Sequence, residues 1–176
     1  VGSYTVTYTA TDSSGNEATA VVRTVNVVDT TAPVITITGD PTVTIEVGTT
    51  YTDEGATATD ESGDITVTTS GTVDTSLVGS YTITYTATDS SGNEATAVVR
   101  TVNVVDTTAP VIILNGDNPM NIEVGGTFTD PGASATDNYD TDISINVTGT
   151  VDNTTVGSYN LTYTATDSSN NTTTVI

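Results

Sequence analysis

One phrase of this chain recurs almost unchanged along its length. Residues 1–35 and 78–112 share the same 35 residues, except that Val6 becomes Ile83, and a third, edited copy begins at Val156. The copies start 77 and then 78 residues apart (78 − 1 and 156 − 78). A fixed period of this size is the signature of one small domain arranged in tandem. The sequence therefore predicts an extended array that is built from copies of one small domain.

Short alternating runs predict strands in every repeat. In residues 81–88, Tyr, Ile, Tyr and Ala alternate with threonines, which places the apolar side chains on one face of a strand and the polar ones on the other. Similar runs occur at 34–38, 43–46, 65–69 and 97–105, and Gly, Pro, Asn and Asp separate them. No segment has a helical period, so we predict an all-β fold built from antiparallel sandwiches.

The phrase DTTAP, at residues 29–33 and again at 106–110, marks the joints between repeats. Proline restricts the backbone there, which predicts short and semi-rigid linkers. We expect residues 1–29 to be the C-terminal strand pair of a preceding repeat and residues 30–106 to be a complete repeat. Residues 107–176 should form a repeat that lacks most of its last strand. The array is expected to belong to a longer protein.

Composition excludes several classes of function. The chain has 22 acidic residues against two arginines, with no Lys, His or Cys, and its net charge is −20. Such a surface repels nucleic acid, and no apolar run is long enough for membrane insertion in this segment. The usual pairs of nucleophile and base cannot be built without His, Cys or Lys, so we expect no enzyme.

The resemblance to a known family rests on whole phrases. Tyr81-x-Ile83, shortly after Val78-Gly79, is typical of the start of strand F in immunoglobulin sandwiches, where a tyrosine corner precedes a core position. DTTAPVITITGD, VGTTYTDEGATATDESGDIT and VGSYTITYTATDSSGNEATAVVRTVNVVD resemble the bacterial immunoglobulin-like tandem repeats, of hyalin-repeat type, found in large extracellular surface proteins and adhesins. This resemblance implies immunoglobulin-like (Ig-like) β-sandwiches in an extended array, at an extracellular or cell-surface location. Fold alone does not fix the function.

Aspartates gather at one pole of each predicted domain. The Ig-like strand order brings the B–C loop, the F–G hairpin and the incoming linker together there. Ca²⁺ binds six to eight oxygen ligands, and such a cluster could supply them, by analogy with the calcium-stiffened joints of cadherins. The predicted ligands are Asp29, Asp60, Asp64 and Asp89 for one domain and Asp106, Asp137, Asp142 and Asp167 for the next, with Glu46, Asp53, Glu123 and Asp130 as second-line ligands. The alternative is that these aspartates only form turns, because Asp side chains bond their own backbone.

The third repeat alone carries the N-x-[ST] triplets that accept N-linked glycans. A glycan would suit an exposed surface protein, but a sequence rich in Thr and Asn also produces such triplets by chance. The candidate glycosylation sites are Asn146, Asn153, Asn160, Asn170 and Asn171.

Taken together, these patterns indicate a mechanical role. We expect a spacer, stalk or filament segment of a secreted or surface-anchored microbial protein, stiffened by calcium at its joints, with neighbouring repeats of the same chain as partners. The alternative is an adhesive module that binds a glycan, a surface or itself. Self-association into fibres would follow if residues 1–29 completed a sandwich of another subunit by strand addition.

Overall fold

The computed structural model describes residues 1–61 and 63–176, with only the backbone of Asp64. All regular elements within these residues are strands, which confirms the predicted all-β class. The same residues include no helix of the length and apolar character needed to cross a membrane. The strands are β1 (Gly2–Tyr8), β2 (Val21–Val27), β3 (Val34–Ile37), β4 (Thr42–Glu46), β5 (Ala56–Asp60), β6 (Gly63–Asp64), β7 (Val67–Ser70), β8 (Gly79–Ala87), β9 (Val98–Val105), β10 (Val111–Leu114), β11 (Ala133–Thr136), β12 (Ser144–Thr148), β13 (Thr162–Thr166) and β14 (Thr172–Val175).

The second repeat forms two sheets. One has the strand order β3-β5-β6, and the other has the order β4-β9-β8-β7. In the first sheet Val34 faces Thr59 and Ile37 faces Ala56, as the alternating sequence requires. Strands that follow one another in the chain, such as β3, β4 and β5, alternate between the two sheets. This is the immunoglobulin-like β-sandwich that the sequence predicted.

The third repeat has fewer strands than the second. Its described residues form a pair, β10-β11, and a three-stranded sheet, β12-β13-β14. Tyr163 and Ala165 on β13 are buried, and the threonines between and beside them lie nearer the surface. This is the alternation expected for a sheet with one face in a core.

Residues 1–29 fold as a hairpin of β1 and β2. The two strands pair from Gly2 opposite Val27 to Tyr8 opposite Val21. Apart from the half-buried Gly2, every residue of both strands is exposed, although the hairpin is rich in Val and Tyr. The apolar face of this hairpin is therefore formed but uncovered.

The chain divides into two compact units that differ from the predicted repeats. Unit 1 comprises Val1–Val43, Thr52–Val73 and Thr82–Thr101, and unit 2 comprises Thr44–Tyr51, Asp74–Tyr81 and Val102–Ile176. Apart from proline, the buried apolar side chains of unit 1 are Ile35, Ile83, Tyr85 and Ala87, and those of unit 2 are Val47, Val102, Val104, Tyr163 and Ala165. The repeat boundaries read from the sequence remain a prediction.

The tyrosine corner expected from the sequence is present twice. The Tyr81 hydroxyl donates a hydrogen bond to the carbonyl of Leu77 at 2.8 Å. In the third repeat the Tyr159 hydroxyl donates to the carbonyl of Thr155 at 2.9 Å. Both bonds reach four residues back along the chain, as in other immunoglobulin-like sandwiches.

Candidate metal centre

Four aspartates of unit 2 bring one carboxylate oxygen each into a single group. These atoms all lie within 4.8 Å of one another, so one cation could contact them together. The residues come from the end of β9, the loop between β11 and β12, and the turn after β13. They are Asp106, Asp137, Asp140 and Asp167.

Local hydrogen bonds fix the turn that supplies Asp167. Its Oδ1 accepts the Asn171 N–H at 2.7 Å, and its Oδ2 accepts the Asn171 side-chain amide at 2.8 Å. The same amide donates to the carbonyl of Asp106 at 3.1 Å. Asn171 therefore ties the turn to the chain segment that precedes the linker.

A second loop supplies the other two carboxylates. Oδ2 of Asp137 accepts the N–H groups of Tyr139 and Asp140 at 2.9 and 3.2 Å, which curls the loop tightly. Asp140 in turn accepts the Ser168 N–H at 2.8 Å and the Ser168 hydroxyl. Both loops are thus held in place by hydrogen bonds to their carboxylates, and these bonds leave Oδ1 of Asp137 without a donor in the described part of the chain.

The centre of this group is short of hydrogen-bond donors. Asp106 is only 6% exposed. Its Oδ2 and the Oδ1 of Asp137 are buried and accept no hydrogen bond from the part of the chain that the structure describes. Burial raises the pKa of Asp106, and the negative charges of Asp137 and Asp167 add to that rise, whereas the Thr108 N–H and the Ser169 hydroxyl offset part of it. A buried carboxylate oxygen without a donor is costly unless a cation meets it.

A smaller group of the same kind lies in unit 1. Asp29, Asp60 and Asp89 bring one oxygen each within 4.8 Å of one another. Asp89 forms the same turn as Asp167, accepting the Asn93 N–H at 2.8 Å and the Asn93 side-chain amide at 2.7 Å. Burial acts to raise the pKa of Asp89, but the bonds from Asn93 and Ser91 outweigh it, so that the pKa is lowered.

The first copy of this turn, at Asp12, forms without an acidic group around it among the residues that the structure describes. Asp12 accepts the N–H of Asn16 at 2.9 Å and its side-chain amide at 2.8 Å, as in the other copies. Asp12 is exposed and belongs to neither acidic group. The turn-forming interpretation therefore accounts for every contact that Asp12 makes with the described residues. It accounts for Asp89 and Asp167 only in part, because these also face other carboxylates.

The structure brings together most, but not all, of the predicted first-line ligands. Asp29, Asp60 and Asp89 form one group, and Asp106, Asp137 and Asp167 belong to the other. The side chain of Asp64 lies outside the described residues. Asp142 is exposed and outside the group, and Asp140, which the sequence did not single out, takes a place within it.

Two second-line acids have other partners. The Glu46 carboxylate accepts the Thr107 N–H at 3.0 Å and the hydroxyls of Thr107 and Thr108 at 2.7 and 2.8 Å, all within unit 2. The Thr107 hydroxyl and N–H are the main causes that lower the pKa of Glu46 to about 2. Asp53 forms a salt bridge with Arg100 and accepts the Tyr85 hydroxyl.

The remaining two second-line acids belong to the third repeat. Glu123 is exposed. Asp130 accepts the Tyr163 hydroxyl at 2.6 Å, a bond that raises the pKa of Tyr163 to about 12. None of the four second-line acids joins either acidic group among the described residues.

The candidate glycosylation sites differ in their surroundings. Asn146, Asn160 and Asn170 are exposed. Asn153 donates its side-chain amide to the carbonyl of Gly126 at 2.6 Å, and Asn171 uses its amide in the turn described above. A glycan is attached to this amide nitrogen, so the three exposed sites are the more accessible ones.

Two kinds of sequence relative were found. A family model described as bacterial surface protein, Ig-like domain, matches residues 35–104 and 112–176. Hyalin of Lytechinus variegatus is 39% identical over 153 residues, which cover 76% of this chain and 28% of that protein. Hyalin of Strongylocentrotus purpuratus is 40% identical over 156 residues, covering 78% of this chain and 13% of that protein. The chain thus spans less than a third of the length of these relatives.

Several solved structures were also similar. Among them is the crystal structure of the lipoprotein BT2262 from Bacteroides thetaiotaomicron, with a TM-score of 0.39 and 21% identity. The match covers 77% of this chain and 61% of that one.

Proposed function

The chain belongs to the family of bacterial surface Ig-like domains and is part of an extracellular or cell-surface protein; from this premise we propose that it is a spacer segment stiffened by calcium. Its family is in general non-enzymatic, and tandem sandwiches of this kind add length rather than chemistry. What we propose is that this segment acts as a spacer and that it binds calcium.

The observation that carries the proposal is the group formed by Asp106, Asp137, Asp140 and Asp167. Four carboxylates within 4.8 Å of one another repel each other unless a cation lies between them. Two of their oxygens are buried and accept no hydrogen bond among the described residues. Carboxylate and carbonyl oxygens, with water, are the ligands that Ca²⁺ prefers, and flexible loops suit its variable coordination.

The position of this group supports a mechanical effect. Asp106 is the first residue of the phrase that ends at Pro110. Glu46 already holds the next residues of this phrase by bonds to Thr107 and Thr108. A cation that joined Asp106 to the loop of Asp137 and the turn of Asp167 would hold the same segment by a second set of contacts, which would stiffen the linker.

Calcium should also stabilise the fold. A ligand that binds only the folded state at 100 times its dissociation constant adds about 2.7 kcal/mol to the free energy of unfolding. For a chain of this size, that corresponds to a rise of roughly 5–10 °C in the melting temperature.

The test is a set of melting curves in chelator, in millimolar calcium and in magnesium. We expect a calcium-specific rise for the unaltered chain, and a much smaller rise for Asp106→Asn. In chelator Asp106→Asn should be as stable as the unaltered chain or more so, because the amide removes a buried charge that has no counter-ion. The matched control is Asp12→Asn, which alters the same turn outside both acidic groups and should leave the calcium response unchanged. Equal responses of the unaltered chain and Asp106→Asn would contradict the proposal.

A further inference from the structure

One loop of the third repeat has two sides with different contacts, all of them within unit 2. Residues 137–143 connect β11 with β12. Asp137 and Asp140 of this loop belong to the acidic group, and the two residues between them are Asn138 and Tyr139. The loop therefore joins the candidate calcium site to whatever these two residues contact.

Tyr139 contacts the second repeat. Its hydroxyl oxygen accepts the N–H of Val78 at 3.4 Å, a long hydrogen bond between residues 61 positions apart. The Tyr139 side chain is half-buried, although it lies in a loop. Burial raises the pKa of Tyr81, and the negative charges of Asp74 and Tyr139 add to that rise, as expected for neighbouring phenols. Tyr139 thus lies beside the tyrosine corner that Tyr81 forms with Leu77.

Asn138 adds a contact with the end of β4. Glu46, the last residue of that strand, accepts hydrogen bonds from the linker residues Thr107 and Thr108. Thr107 is the main cause of the low pKa of Glu46, and a hydrogen bond from the Asn138 side chain makes a smaller contribution in the same direction. One carboxylate of the second repeat therefore contacts both the linker and the loop of the third repeat.

Only the backbone of Tyr139 separates these contacts from the acidic group. The Tyr139 N–H donates to Oδ2 of Asp137 at 2.9 Å, and the Asp140 N–H donates to the same oxygen at 3.2 Å. The carboxylate of Asp137 thus fixes the backbone from which the Tyr139 ring extends. A cation that held Asp137 and Asp140 would hold the starting point of the ring as well.

The equivalent loop of the second repeat has no tyrosine. It reads DESGD at residues 60–64, against DNYDTD at residues 137–142, which is one residue longer. Both loops follow the pattern G-A-x-A-T and precede an isoleucine, so the comparison is unambiguous. The tyrosine is therefore a feature of one joint of the array and not of the repeat in general.

We propose that Tyr139 is the residue through which calcium in the acidic group of unit 2 locks the third repeat onto the second. This rests on the proposed function, which supplies the cation. Bound calcium removes the repulsion between the carboxylates and so favours the loop conformation in which the ring reaches the tyrosine corner. The coupling is reciprocal: the docked ring favours calcium binding by the same factor by which calcium favours docking.

The first test is calorimetric titration of the full chain with calcium, in the unaltered form and as Tyr139→Ala. Couplings between two sites typically change an affinity by about 5- to 150-fold, so Tyr139→Ala should bind calcium at the tighter site at least about 5-fold more weakly. Alanine keeps the N–H that Asp137 accepts, and no carboxylate is lost. The matched control is Thr141→Ala, at an exposed residue of the same loop, which should bind as the unaltered chain does.

A second test reports on the joint itself. The chain has no cysteine, so spin labels can be attached at Thr68→Cys in β7 and Asn146→Cys in β12. These are equivalent, exposed positions of the second and third repeats. Double electron–electron resonance then measures the distribution of distances between the labels. Saturating calcium should narrow this distribution in the chain with Tyr139, and should leave it broad in Tyr139→Ala.

The two proposals fail in different ways. If Tyr139→Ala matched the unaltered chain in calcium affinity and in the narrowing of the distances, the lock would be overturned and the calcium site would stand. An unaltered chain that bound no calcium would overturn the proposed function, and the lock with it.

Discussion

Two arginines in identical sequence surroundings have different environments in this protein. Arg100 is buried, with a carboxylate and main-chain carbonyls as acceptors, whereas Arg23 is exposed. A buried charge persists only when it is paired and hydrogen-bonded. At the scale of single residues, the same side chain is therefore a buried structural element in one copy and an exposed cation in the other.

This difference predicts unequal effects of one substitution. Arg100→Met leaves Asp53 without its cation and should lower the free energy of unfolding by about 3 kcal/mol or more. Arg23→Met removes only an exposed contact with Tyr8 and should cost about 0.5 kcal/mol or less. Chemical denaturation of dilute protein in chelator measures both values. Similar losses for the two variants would show that Arg100 does not hold the sandwich in the way described.

Glu46 predicts a pH dependence with a defined sign. Its pKa in the folded chain is lowered from 4.5 to about 2, chiefly by the Thr107 hydroxyl and N–H. Because the folded-state value is below the unfolded one, the stabilisation is complete above pH 4.5 and is lost as the pH falls towards 2.

Denaturation between pH 5 and 2 should therefore show a smaller loss of stability for Glu46→Gln than for the unaltered chain. Glu123→Gln, the equivalent change at an exposed acid of the third repeat, serves as the control and should follow the unaltered chain. If the stability of Glu46→Gln and of the unaltered chain fell equally with pH, the contacts of Glu46 with the linker would not stabilise the fold.

At the scale of elements, alternation in the sequence was a reliable guide to strands. The run at 81–88 appears as β8 and the run at 97–105 as β9, because strict alternation suits a strand with one buried face. The ends were less predictable: the run at 65–69 appears as β7, which covers Val67–Ser70. Strand ends depend on pairing with residues distant in sequence, and a local pattern does not contain that information.

The residue that follows β7, Gly71, has a conformation and a close contact that require glycine. Its backbone lies at φ +105°, and a Cβ atom there would lie 2.3 Å from the Thr82 carbonyl oxygen on the neighbouring β8. Gly71→Ala should therefore destabilise the chain by clearly more than the roughly 1 kcal/mol that a positive φ alone costs. Gly92→Ala is the matched control, since Gly92 has φ +90° but no atom within 4 Å of an added Cβ. Equal melting temperatures for the two variants would contradict the close approach of β7 and β8.

The acidic groups were predictable where they depend on local turns. Asp89 and Asp167 anchor turns closed by an asparagine four residues later, and the sequence shows both residues. The choice of Asp140 over Asp142 was not predictable. It follows from two N–H bonds to Asp137 that curl the loop and turn Asp140 towards Ser168. The contact of Glu46 with Thr107 spans 61 residues and has no local signal.

At the scale of the whole molecule, the dominant quantity is a net charge of −20 with two cationic side chains. Such a chain repels itself and attracts divalent cations, most strongly where carboxylates are gathered and partly buried. The two acidic groups are the points at which this charge is concentrated within each compact unit. A bound cation would lower the repulsion there and hold the segments on either side.

The central claim is that these groups bind calcium, and isothermal titration calorimetry at neutral pH tests it most directly. The account predicts two calcium sites per chain, the tighter of which disappears in Asp106→Asn, while Asp12→Asn keeps both. A titration without saturable binding would contradict the claim. An Asp106→Asn variant that binds as much calcium, as tightly, as the unaltered chain would contradict it equally.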